Sequence, residues 1–171
     1  MEDNQQKKGF LIRRFTALLF DYLILAFYAG ALFLFSPMVG PLFQRSAWES
    51  EFFGLLLLVV PVFLYFFLFE ASRLNATVGK LLFNFKVMKV DGTNFTYTDS
   101  FIRSLVKFIP WEFAHFATWQ LVFPNSSFSS IAISLLVMTN ILAALYILFP
   151  LFNKNLRALH DYAAHTILVR K

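Results

Sequence analysis

"RRFTALLFDYLILAF", residues 13–27, decides the fold. Two arginines open an apolar run that reaches Phe35. One carboxylate, Asp21, interrupts it, and the next charged side chain is Arg45. A spanning helix needs about 20 apolar residues, so the run predicts a first membrane crossing. A carboxylate inside such a helix costs about 2.5–3.5 kcal/mol on insertion scales and is expected to face the bundle interior. Hydrophobic residues make up 58% of the 171 positions, with 24 phenylalanines, more than a soluble domain of this length needs for its core. The chain lacks cysteine, which removes disulfides, thiolate metal sites and thiol nucleophiles. Lysines in front of an apolar stretch with "AGA" at 29–31 resemble a signal peptide, but Asp21 and the later membrane segments argue for an uncleaved helix.

The net charge of +5 is read as topology, with the lipid bilayer and no nucleic acid as partner, because cytoplasmic loops collect Lys and Arg. Three segments qualify as spans: 15–35, 52–69 and 131–152. Basic residues gather before the first, after the second and after the third. Three crossings cannot keep all three groups inside. A fourth, shorter segment, "FIPWEFAHFATWQLVF" at 108–123, repairs the parity and leaves only Arg45 outside. Glu112 and His115 share one of its faces, and its length leaves a re-entrant or interfacial placement open. The expectation is one domain over 1–171, an all-α membrane bundle of about four segments in the inner or plasma membrane, with both termini cytoplasmic. Its polar blocks are the tail 1–9, the stretch 71–107 and the tail 153–171.

Between the second and third spans, "FNFKVMKVDGTNFTY" at 83–97 alternates in part and carries Asp91-Gly92, so a small cytoplasmic β-hairpin is predicted there. The tail "HTILVRK" is strand-like and is expected to add a third strand to it. "TDSFIRSLVKF" predicts a helix capped by Thr98 or Asp99, with Arg103 and Lys107 facing lipid headgroups. Arg14 and Asp21 lie seven apart, within about 20° of one face, but separated by about 10 Å of helix rise. Arg157 and Asp161 at i, i+4 predict an ion pair within one helix. Glu70, at the cytoplasmic end of the second span, is expected to be solvated or paired with a lysine.

These residues resemble the RDD family of small bacterial membrane proteins, named for an arginine and two aspartates. "RRFTALLFDYLI" is similar to its opening motif, through Arg14 and Asp21. "NATVGKLLFNFKVMKVDG" resembles its middle signature, through Thr77, Gly79, Lys80 and Gly92. "FIRSLVKFIPW" suits the helix that follows, through Arg103, and "LRALHDYAAHTILV" the closing motif, through His160 and Asp161. Two departures stand out. Asn75-Ala76 replaces a pair that usually contains glycine, and His165 replaces a small residue, often glycine. The resemblance implies a transport role, with cation/proton exchange in some members and membrane quality-control assemblies among eukaryotic relatives.

Two functions from different classes follow. In the first, Asp21 binds a monovalent cation or a proton, Arg14 competes as an internal cation, and Asp161 with His160 relays protons. Asn140 and Thr139 add oxygen ligands there, and Pro61 lets the second span bend. In the second, Arg14, Asp21 and Asp161 are a structural lock, and the protein binds a partner membrane protein or lipid through the β-hairpin, or a second copy of itself. An enzyme is disfavoured: "TVGK" lacks the upstream glycine and the following hydroxyl residue of a P-loop, and His160 and His165 point apart on a helix. No cofactor or metal is expected.

Overall fold

The structure, a computed structural model, describes residues 2–123 and 125–171. Helix α1 (Glu2–Leu34) runs unbroken through the opening motif. After short helical turns at Ser36–Val39 and Gly40–Phe43, α2 (Ala47–Ala71) returns. A short helix α3 (Val78–Leu82) leads into strand β1 (Phe85–Lys89). Helix α4 (Tyr97–Val122) and helix α5 (Ser129–Leu148) follow, the latter prolonged by a tight turn at Phe149–Phe152. A second short helix, α6 (Leu159–Ala163), ends in strand β2 (Thr166–Arg170). Three helical segments, Gln5–Leu34, Ala47–Ala71 and Ser129–Phe152, are long and apolar enough to cross a membrane.

Segment 108–123 is not a separate element. It is the second half of α4, a 26-residue helix that packs against both α2 and α5. Its cap is Thr96, whose hydroxyl accepts from the Asp99 N–H while the Asp99 carboxylate takes the Thr96 N–H. That capping box displaces the expected caps. Arg103, expected among headgroups, is 1% exposed and faces inward. Ser100 and Ser104 are equally buried, so α4 turns a polar face into the bundle.

The predicted hairpin does not form. Asp91 accepts from the Thr93 N–H and hydroxyl, and Gly92 sits at φ +77°, so the chain turns there as the sequence suggests. The following residues are then drawn into the cap of α4. β1 pairs antiparallel with β2 alone, from Phe85 opposite Arg170 to Lys89 opposite Thr166. The C-terminal tail is therefore the partner strand, and it closes a small cap onto the middle of the chain.

Residues 75–89 and 156–170 repeat one backbone course, each position recurring 81 residues later (75 and 156, 85 and 166). A left-handed residue (Asn75 φ 49°, Leu156 φ 52°) precedes a five-residue helix. A second left-handed residue (Asn84 φ 58°, His165 φ 51°) then opens a five-residue strand. The Val90 N–H donates to the His165 carbonyl, and the Lys171 N–H donates to that of Asn84, related in the same way. A pseudo-twofold axis thus passes through the Val87–Leu168 pair. Each motif follows a membrane-length helix, ending at Ala71 and at Phe152. The left-handed course explains why glycine suits positions 75 and 165: side chains there are strained by about 1–2 kcal/mol.

Two prolines interrupt helical hydrogen bonding and are repaired alike. Pro61, just after a π-helical stretch at Leu55–Val59, cannot donate to the Leu57 carbonyl, which instead accepts from the Tyr28 hydroxyl at 2.6 Å. Pro110 in α4 frees the Val106 carbonyl, which accepts from the Tyr146 hydroxyl at 2.8 Å. In an apolar environment a free carbonyl is costly, so these tyrosines tie helix pairs beside the prolines. Tyr28→Phe and Tyr146→Phe are each expected to lower stability by about 1–2 kcal/mol, and His165→Gly to raise it by about 1 kcal/mol, in thermal unfolding of the detergent-solubilised chain.

Candidate functional site: a buried charge network under the cap

The second membrane helix ends in a carboxylate that three cations share. Glu70 is fully buried. It accepts from Lys107 Nζ at 2.6 Å, from Arg103 Nε at 2.8 Å and from Lys80 Nζ. The Arg103 guanidinium then bridges to the second carboxylate, Asp161, and to the Thr166 hydroxyl through Nη1. Arg14 completes the chain, with Nη2 2.9 Å from Asp161 Oδ2 and Nη1 on the Leu156 carbonyl. The network therefore joins α1, α2, α3, α4, α6 and β2.

Asp161 also accepts the Ala158 N–H at 2.7 Å, capping the N-terminus of its own helix α6. Burial alone pushes its carboxyl up. Arg103, Arg14 and the Ala158 N–H outweigh that and hold it well below the ordinary value. His160 Nε2 lies 3.7 Å from Asp161 Oδ1. Burial, with the Lys107, Arg103 and Arg14 charges, keeps the His160 imidazole neutral despite Asp161.

Asp21 stands apart from this network. Oδ1 accepts from the Tyr65 hydroxyl at 2.6 Å and the Gly79 N–H at 2.9 Å, and Oδ2 from the Thr77 hydroxyl at 2.6 Å. The residues of the Thr-x-Gly-Lys step thus have separate jobs. Thr77 and Gly79 clamp the α1 carboxylate, while Lys80 reaches Glu70. Glycine is required at 79, since a Cβ there would lie 2.1 Å from the Ala17 carbonyl and 2.9 Å from the Asp21 carboxyl. Each aspartate of the arginine–aspartate–aspartate set therefore receives the N-terminus of one repeated short helix, Asp21 from outside it and Asp161 from within.

Several sequence expectations change here. The Arg157–Asp161 ion pair is absent because α6 begins at Leu159, after Arg157. Arg157 instead donates to the backbone carbonyls of Thr166 and Asp161 and covers the Tyr162 ring. Arg14 is bonded to Asp161 at the far end of the chain, seven residues away from Asp21 along α1. Asn140 is exposed and turned back on the Leu136 carbonyl, outside the network, while Thr139 is buried. Sequence reading missed Tyr65, Lys107 as a partner of Glu70, Thr166, and Asn153, whose side chain bonds both the Arg157 N–H and carbonyl and shapes the strained turn at Leu156. Among the described residues, no group of His, Asp and Glu has the arrangement of a metal site.

A family model for the RDD family matches residues 9–165. No curated protein matches the chain, and no solved structure does.

The clamp and the network make two predictions. Asp21→Asn is expected to cost about 1–3 kcal/mol, because the amide nitrogen meets donors, and Gly79→Ala to abolish folding, both read by size-exclusion and thermal unfolding. The depressed His160 value also carries a sign. The unfolded imidazole takes a proton below about pH 6.5 and the folded one does not, so stability falls with falling pH by up to about 1.4 kcal/mol per unit. His160→Gln should flatten that slope, whereas the Asp161 contribution should persist until pH falls past the ordinary carboxylate range.

Proposed function

Since the chain belongs to the RDD family, we propose that it is a non-catalytic scaffold of the inner or plasma membrane. It crosses four times, with both termini cytoplasmic and the paired strands offered as a docking cap. The observation that carries this reading is the saturation of both signature aspartates by fixed donors: Tyr65, Thr77 and Gly79 on Asp21, and Arg14, Arg103 and Ala158 on Asp161. An ion-path carboxylate must release its partners to bind cargo, and these partners include backbone N–H groups and side chains that hold the cap. Four crossings rest on α4, which at about 1.5 Å per residue is roughly 39 Å long, and on the position of Arg45 as the lone basic residue outside. The docking partner is another membrane protein or a second copy of the chain.

A second reading, cation/proton exchange, is favoured by one observation away from Asp21. The carboxyls concerned are Glu51 on α2 and Glu112 on α4. Their Oε2 atoms are buried without partners among the described residues. Two carboxyls with such oxygens, on neighbouring helices, offer a place for a cation or a proton. Cation-driven proton flux in proteoliposomes separates the readings. The scaffold predicts none for the wild type, while flux that disappears in a folded Glu51→Gln variant establishes exchange and contradicts the scaffold.

A further inference from the structure

α1 is held to the rest of the molecule chiefly through α3, and beside it lies a cavity of about 930 Å³. Its walls are apolar and come from four helices, among them Leu25 of α1, Val62 of α2, Phe108 of α4 and Ile147 of α5. Lining residues such as Ile12, Phe15 and Leu151 are also surface-exposed, so the cavity reaches the side of the molecule. An engineered apolar void of about 150 Å³ stays dry. A hydrocarbon-lined space several times larger, beside a bilayer, fills with hydrocarbon.

One end of the cavity is charged. Arg14, Lys80 and Lys107 line it, each 14–18% exposed by side chain, whereas their counter-ions Glu70 and Asp161 are fully buried behind them. Asp21 also lines the cavity, but its oxygens are occupied by Tyr65, Thr77 and Gly79. Counting Arg103, four cations meet three carboxylates, which leaves the end positive by one charge (4 − 3). His160 also lines it, with Nδ1 buried and unpartnered among the described residues. Apolar walls over a cationic floor match an amphiphile with an anionic head, and basic pockets between membrane helices on the cytoplasmic side take such headgroups.

We propose that this cavity binds one anionic phospholipid of the cytoplasmic leaflet, with an acyl chain along α1 and the phosphate over Arg14, Lys80 and Lys107. The site stands whether the protein is a scaffold or an exchanger, because it uses neither the strand cap nor the Glu51–Glu112 pair. Lipid occupancy would also brace α1 against the bundle, so it should be visible in stability as well as in binding.

The test uses the full chain, delipidated in detergent and titrated separately with phosphatidylglycerol, phosphatidylcholine and inorganic phosphate. Retained lipid is counted by native mass spectrometry, and the melting temperature is followed. One phosphatidylglycerol per chain is expected, with a raised melting temperature, at least tenfold preference over phosphatidylcholine, and no effect of phosphate alone. Ala143→Phe fills the cavity from α5 without touching a charge and should abolish retention in a folded protein. Lys107→Gln should erase the headgroup preference while leaving acyl binding. Equal retention of both lipids by the wild type overturns the proposal, as does undiminished retention by Ala143→Phe. A phosphate effect equal to that of the lipid overturns the acyl part. If Lys107→Gln does not fold, the Ala143→Phe result decides.

Discussion

One guanidinium, that of Arg103, holds the middle and the end of the chain together. It is buried at the centre of the molecule, with Glu70 on one side and Asp161 and Thr166 on the other. A buried cation with one partner removed is destabilising by about 3–5 kcal/mol, so each carboxylate is obliged to stay in place. Planar donors on several edges make arginine, rather than lysine, suited to such a junction. The strand pairing and the seating of α6 both meet that junction, since β2 supplies Thr166 and α6 supplies Asp161.

The repeated motif shows how such a small cap is built. Each copy has the same backbone course, but the N-terminus of its short helix is satisfied differently. The first copy borrows Asp21 from α1 across a close backbone approach at Gly79. The second supplies Asp161 itself and passes the spare lone pairs to Arg14 and Arg103. The position equivalent to Asp161 in the first copy is Lys80, which turns to Glu70. Symmetry of the backbone therefore carries an asymmetric charge pattern, and that asymmetry links the two halves rather than leaving each self-sufficient.

Much of this was legible in the sequence. Hydropathy located three membrane-length helices, Asp91-Gly92 marked a true turn, and the ordered motifs pointed to the family through Arg14, Asp21, Gly79 and Asp161. The partners were not legible, because contact across the bundle leaves no periodic trace. The hairpin expectation failed because Asp99 recruits Thr96 into a cap, leaving β1 to the C-terminal strand. Arg103 was placed outward because an i, i+4 basic pair on a helix usually meets headgroups; two buried carboxylates from distant segments reverse that. The internal repeat was hidden since "NATVGKLLFNFKVMK" and "LRALHDYAAHTILVR" share a backbone course and no residue at equivalent positions. What reveals it is the backbone, left-handed at Asn75, Asn84, Leu156 and His165.

Within the arginine–aspartate–aspartate set, Arg14 and Asp161 lock the two ends of the chain together, while Asp21 clamps the first short helix. A double-mutant cycle on unfolding free energy, with Arg14→Gln, Asp161→Asn and the pair, tests it most directly. The expected coupling is about 1–3 kcal/mol, with the double variant far less destabilised than the sum of the singles. Additive effects within about 0.5 kcal/mol would mean that the two side chains act independently, and would contradict it.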